Sequence, residues 1–478
     1  MAVAQKFNAT TTSITAPIGG WNARDSIAQM PPTDAVTLNN LYPTPTDLQL
    51  RLGYTKYSEG ITGQVNTLMN YSGPTTETMF AAAGTKIYNT GTSTATEALT
   101  GLSSDKFQYV NMSNIGGHYL SAVNGIDPAL VYNGTDWIKV SGTSTVFGIT
   151  SITHVGAVAT LTTAAPHGLI SKNQVTVTGA SPAAYNGTYV ITVTSPTTFT
   201  YTMASTPSTD ATSVGTYTVA LYITGIGSDD LVHVNLFKNR LYYVEKNSLK
   251  FWYLPTDAIG GAAVEFDLGG IARRGGYLQA MGTWTIDAGQ GADDYAVFVT
   301  NNGEVIVYNG IDPSDPTNWA LKGVWQLGQT FNRKCFYKWS GDLLLLTQDG
   351  LVPLASALQS SRLDPRVNLT DKIFYAISQA ASLYSGNFGW QIIYYASNNM
   401  LLLNIPVNGE NQQFVMHTIS KSWSQFTGIN ATCFELHNQN LYFGGDGFVG
   451  QYWNGYSDDG DNINASVQQA YSYFDSPG

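Results

Sequence analysis

Two acidic loops are the first places in this chain where chemistry could sit. Asp287-Ala288-Gly289-Gln290-Gly291-Ala292-Asp293-Asp294 precedes a strong apolar run, and Asp458-Asp459-Gly460-Asp461 lies near the C-terminus. Carboxylates on tight loops supply oxygen ligands for calcium. Neither loop has EF-hand spacing and no Glu closes the set, so turn formation explains the same residues. A carboxylate pair at glycosidase separation is the other chemistry open to such residues, but no spacing selects a pair. His118, His154, His167, His233, His417 and His437 are scattered, with no zinc-ligand spacing among them. Cys335 and Cys433 stand far apart and read as buried free thiols. There is no Gly-x-Ser-x-Gly, no His-Glu-x-x-His and no phosphate-cradling glycine loop followed by Lys. The expectation is a protein that is not an enzyme and holds no cofactor or metal.

The elements that would carry these residues repeat. Ile87-Tyr88-Asn89-Thr90-Gly91, Val131-Tyr132-Asn133-Gly134, Val307-Tyr308-Asn309-Gly310 and Gln451-Tyr452-Trp453-Asn454-Gly455 each follow a turn and a short apolar run. Weaker copies surround Trp252, Val352 and Leu402. The spacings are about 44 to 56 residues, with one gap of about 120, which matches the period of a β-propeller blade plus one insertion. The sequence predicts an all-β fold of six blades, or seven if strands from both chain ends close one. Two helices are expected, a short one over Thr33–Asn40 and a second over Asp371–Leu383.

The insertion falls at about 145–220. It is rich in Thr, with Lys172 and Asp210 as its charges. Val175-Thr176-Val177-Thr178 and Tyr189-Val190-Ile191-Thr192-Val193-Thr194 alternate in a way that puts Val and Ile on one face and Thr on the other. A small β-barrel-like module follows. The remaining divisions are 1–60, 61–144, 221–456 and 457–478: an N-terminal platform, two propeller parts and a C-terminal segment.

Charged residues make up 12% of the chain and the net charge is −11. The net charge argues against a generic DNA-binding surface, which would be basic. So low a charged share suits a surface buried in an assembly. The opening residues lack the apolar stretch of a signal peptide, and no apolar run reaches the length of a membrane span.

Longer phrases carry a resemblance. Pro17-Ile18-Gly19-Gly20-Trp21-Asn22-Ala23-Arg24-Asp25 leads to Met30-Pro31-Pro32-Thr33-Asp34-Ala35, then Leu41-Tyr42-Pro43 and Leu50-Arg51-Leu52-Gly53-Tyr54. Phe237-Lys238-Asn239-Arg240-Leu241, Trp284-Thr285-Ile286-Asp287-Ala288-Gly289 and Gly310-Ile311-Asp312-Pro313 continue it. Over about 1–140 and 225–478 the chain resembles the tail nozzle, or packaged-DNA stabilisation, proteins of short-tailed bacteriophages. Ala165-Pro166-His167-Gly168-Leu169 and Tyr185-Asn186-Gly187-Thr188-Tyr189 make the insertion similar to small β domains of phage structural proteins, the FCCH-like type named after a ubiquitin-activating-enzyme module. The family pattern runs on past Tyr471-Ser472-Tyr473-Phe474, so the resemblance implies further strands beyond Gly478.

What the resemblance implies is a homo-oligomeric ring, of six copies, at the distal end of a short virion tail. It would sit below an adaptor ring and beside tail fibres or spikes. DNA would pass its channel without sequence-specific binding. Arg24, Asp25 and Arg51 are the expected adaptor contacts, because charge is rare there and each lies in a matched phrase. The rival reading is a host-surface glycan-binding propeller, and a propeller hydrolase comes third. Sialidase-type propellers carry Ser-x-Asp-x-Gly-x-Thr-Trp boxes, which this chain lacks.

Overall fold

A computed structural model describes residues 14–140, 145–167, 169, 171, 173–219, 221–287, 292–357 and 367–471. The chain is all-β with a propeller-like arrangement. Four consecutive strands form an antiparallel meander over Gln108–Lys139, and another runs through Leu278–Asp287, Ala292–Thr300, Glu304–Gly310 and Trp319–Gln326. Leu231–Phe237, Arg240–Glu245, Lys250–Tyr253 and Val264–Asp267 form a third. Phe336–Trp339, Asp342–Thr347 and Gly350–Pro353 make a three-stranded sheet, and four strands over Gln391–Phe426 a larger one.

The strand Tyr54–Ser72 belongs to two sheets at once. Its first half pairs with Asp446–Tyr452, and its second half pairs with Glu77–Ala83. The first half therefore adds an outer strand to the sheet of Phe434–His437, Asn440–Gly444 and Asp446–Tyr452. The second half opens the sheet that continues through Lys86–Asn89 and Thr96–Thr100. This strand crosses the expected boundary at residue 60 and joins the last sheet to the first.

Period-2 side-chain alternation explains why these sheets stand face to face. Along Met400–Ile405, Leu401 and Leu403 enter one core while Met400 and Leu402 enter another. Val297 and Val299 likewise pack on the opposite side from Ala296 and Phe298. Each such strand is covered on both faces, so it reads as a continuous apolar run such as Leu343–Leu346. Fully burying each such side chain stabilises the fold by roughly 1.5–3 kcal/mol relative to exposure.

The repeated sequence positions have a single structural meaning. Tyr88, Tyr132, Trp252, Tyr308, Val352 and Tyr452 each lie on the third strand of a sheet, and all are buried. Leu402 departs from this and lies on a second strand. After Tyr88, Tyr132 and Tyr308 the endings turn the chain into the fourth strand, whereas after Tyr452 the fourth strand is supplied by Tyr54–Ser72. At Gly310 φ is +139°, and a Cβ would stand 1.8 Å from the Asn318 carbonyl oxygen.

Residues 145–219 form one antiparallel sheet of seven strands with a core of their own. The segment leaves and returns at one point, because Thr145–Gly148 pairs with Ser213–Val219. Val175, Val177, Ile191 and Val193 point inward as the alternation predicts. Val190 does not: it is 61% exposed, on the same face as Thr192 and Thr194.

The helix over residues 371–384 forms as a 3-10 turn, Asp371–Ile373, followed by Phe374–Tyr384. The helix expected over Thr33–Asn40 is instead the strand Asp34–Asn39. It pairs with Gly20–Trp21 in parallel and with Ser466–Gln469 antiparallel. Sheet partners from both ends of the chain, together with β-branched Val36 and Thr37, outweigh a local capping signal.

Candidate functional site

The matched N-terminal phrase folds into a clamp at the outer edge of the Gln391–Phe426 sheet. Trp21 packs edge-on against Phe414 at 5.0 Å. Gly20 takes φ +85° where a Cβ would lie 2.7 Å from the Trp423 backbone, so only glycine allows this approach. At Gly19 a Cβ would stand 2.0 Å from Asp34 Oδ1. The Asn22 side chain donates to Asp34 at 2.8 Å and to Asp25 at 2.9 Å, while its Oδ1 accepts the backbone N–H of Arg24 and of Asp25. Lys372 Nζ donates to buried Asp34 Oδ1 and to the Gly19 carbonyl, both at 3.0 Å.

Arg24 and Asp25 sit on the open side of this clamp. The guanidinium binds both Asp25 oxygens, at 2.8 and 3.0 Å, and also reaches Asp371. Its hydrogen bonds hold the Asp25 carboxyl down at about 2, with the Asn22 amide adding to the effect. Arg24 is 39% exposed and Asp25 27%. Both remain reachable by a partner.

Arg51 has a different place from the surface contact that its motif suggested. Its side chain is fully buried, and all five N–H groups are used. Nε donates to Asn40 Oδ1 at 2.9 Å; the two terminal nitrogens reach Asp458 at 2.8 and 2.5 Å, and also the carbonyls of Leu52 and Thr427. Such a fork-on-fork pair is the geometry Arg provides and Lys does not. Asn40, held at φ +56°, bridges onward to the Thr427 N–H and the Asn464 carbonyl. Arg51 therefore fastens the N-terminal segment, the end of the Gln391–Phe426 sheet and the C-terminal segment together, and has no donor left for an adaptor.

The same contacts engage two carboxylates of one acidic loop. Asp458 is committed to Arg51, and Asp459 pairs with Lys56 at 3.2 Å. In the other loop, Asp294 pairs with Lys238 and accepts from Thr285; the side chains of Asp287 and Asp293 lie outside the described residues. Among the described residues no three His, Cys, Asp or Glu side chains cluster as a metal site would need. Cys335 and Cys433 are buried, and burial pushes their thiols up to about 12 and about 11. Five histidines are held in hydrogen bonds through ring nitrogens: His154, His167, His233, His417 and His437. No described helix is long and apolar enough to cross a membrane.

A second feature was not anticipated from sequence. The first strands of six sheets converge around a cavity of about 340 Å³, and a cavity of about 380 Å³ continues it. Gln108, Arg333, Lys334 and Gln391 border both. Glu435 projects into the first. Enclosure pushes its carboxyl up to about 7, against the pull of the Tyr109 hydroxyl and Lys334. A signal did exist: Asn332-Arg333-Lys334 and Lys338 concentrate cations in a chain with few charges.

The fold and these two sites define a propeller-like all-β protein with a clamped chain-end junction. No family model matches the chain, and no curated protein matches it. Among solved structures, the chain is similar to the computationally designed Ika8 protein, with 9% identity, TM-score 0.40 and coverage of 84% of this chain and 100% of that one. Sqt1 of Saccharomyces cerevisiae gives 12% identity, TM-score 0.42 and coverage of 84% and 97%. The β-propeller domain of Myceliophteria thermophila Cps50 (Swd1) gives 8%, 0.32, and 84% and 99%.

Proposed function

We propose that this chain is a structural subunit of a short phage tail, a ring-forming nozzle below the adaptor that holds the DNA exit closed and then conducts DNA. The observation that carries the reading is the clamp. The N-terminal phrases that resemble the nozzle family meet at one edge of the molecule, where Asp34–Asn39 pairs with the C-terminal strand Ser466–Gln469. Chain ends locked into one sheet and pinned by Arg51 make a body suited to bearing load, which a gate under internal pressure requires. Rings of this kind close through heterologous contacts between rigid copies.

We read the architecture as seven blades, the last completed by the first half of Tyr54–Ser72, with residues 145–219 as a small domain between the second and third. Arg24 and Asp25 are the residues of the clamp that face a partner, the adaptor in this reading. Particles assembled with Arg24→Ala and Asp25→Asn together should show lower tail occupancy, while the isolated subunit melts as the wild type does. Normal occupancy in the double variant would remove the adaptor assignment. Envelope binding by the purified chain, with none in virions, would favour the glycan-binding reading instead.

A further inference from the structure

Four cations border these two cavities of an acidic chain. Arg333, Lys334 and Lys338 lie on the first strand of the three-stranded sheet or just before it, and Lys106 enters from the loop ahead of Gln108–Asn114. Against them stands Glu435. None of the four cations is within 4 Å of a carboxylate among the described residues. Arg333 Nη1 donates to the Gln279 carbonyl at 3.1 Å, and Lys106 Nζ lies 4.8 Å from the Phe388 ring centre. Arg333 and Lys334 are partly buried, Lys106 and Lys338 are exposed, and Lys334 acts on Glu435 across the first cavity. A bound anion that accepts hydrogen bonds from Arg333 and Lys334 offsets the cost of their partial burial.

The wall also holds acceptors without donors. Gln279 is 4% exposed and His233 9%, yet Gln279 Oε1 and His233 Nδ1 have no hydrogen-bond partner. His233 Nε2 stands 3.0 Å from the Met281 carbonyl and donates there, which leaves Nδ1 as an acceptor. Asn332 has both amide atoms buried and unpaired. Buried polar atoms are almost always satisfied, by protein, water or ligand, so these acceptors stand available to a ligand that brings its own donors.

We propose that this pair of cavities binds a small oxyanion carrying at least one hydroxyl, a hydroxycarboxylate or a hydrogen phosphate, held by Arg333 and Lys334. The charged oxygens meet the cations, and the hydroxyl donates to the orphaned acceptors. Cavities of about 340 and 380 Å³ lie within the usual range for small-ligand sites. Partial burial lowers the proton affinity of Arg333, and burial pushes His233 down to about 4, so the neutral ring keeps Nδ1 as an acceptor.

Calorimetric titration of the full chain at fixed ionic strength, with citrate and separately with inorganic phosphate, tests this. One saturable site is expected with at least one probe, weakened about tenfold or more in Arg333→Gln and Lys334→Gln. The exposed Lys322→Gln variant should bind like the wild type. Citrate alone binding assigns the hydroxycarboxylate source, and phosphate alone the phosphate source. If Arg333→Gln fails to fold, Lys334→Gln carries the comparison. The proposal is overturned if neither probe saturates, or if wild-type affinity survives in a variant that melts normally.

Discussion

Arg51 and Asp458 lie 407 positions apart in sequence, and the carboxylate receives two hydrogen bonds from the guanidinium, at 2.8 and 2.5 Å. Neither side chain is open to solvent beyond 9%. The pair joins the two ends of the chain on the inside, where salt cannot screen it.

Breaking one partner leaves the other charge buried and uncompensated. Arg51→Ala and Asp458→Ala should each cost about 3–5 kcal/mol. Thermal melts should place both well below the wild type. The double variant should lose less than the sum of the two, because each single change removes the same pair. Additive losses would mean the two side chains act separately.

The outer pair behaves oppositely. Arg24 and Asp25 are half-exposed, so Arg24→Ala should change stability by no more than about 1 kcal/mol. Denaturant melts at low and high salt should show the small difference shrinking further. A large loss would place Arg24 among the residues that hold the clamp shut.

Gly20→Ala tests the clamp by shape alone. At φ +85° and 2.7 Å from the Trp423 backbone, the added methyl cannot be seated without moving the strand. Limited proteolysis should release the segment before Asp34 faster than in the wild type, while the sheets beyond residue 60 stay protected. Unchanged cleavage would show that the backbone yields there.

Glu435 gives a pH signature. Its folded pKa is about 7 against an ordinary 4.5, so the folded state holds the proton longer than the unfolded chain. Below about 4.5 both states are protonated and there is no penalty. Stability is lost as pH rises from 4.5 to 7, and the loss is constant above that. Glu435→Gln should therefore match the wild type near pH 4 and exceed it at pH 8, by on the order of 1–3 kcal/mol. Equal melting of the two at both pH values would contradict the shift. His233, pushed down to about 4, acts in the other direction and destabilises the fold as pH falls below 6.5.

The repeat was legible because third strands are buried on both faces and end in turns that demand Asn or Gly, as at Tyr88, Tyr132, Tyr308 and Tyr452. Leu402 misled by one strand, since Leu401–Leu403 is equally apolar on a second strand. Thr33–Asn40 was misread because its sheet partners come from Gly20–Trp21 and Ser466–Gln469, which no local window includes. Arg51 stood out as a rare charge in a matched phrase, but its direction depends on Asp458 at the far end of the chain. The cation-rich run Asn332-Arg333-Lys334 was visible in sequence, but that it shares a cavity with Lys106 depends on contacts far apart along the chain.

The most direct test of the nozzle reading is electron cryomicroscopy of phage particles assembled with this chain. The account predicts a ring of copies at the distal tail, with the Asp34–Asn39 and Ser466–Gln469 edge turned toward the adaptor. Particles whose tails lack density for this chain, or hold it only as isolated peripheral copies, would contradict it.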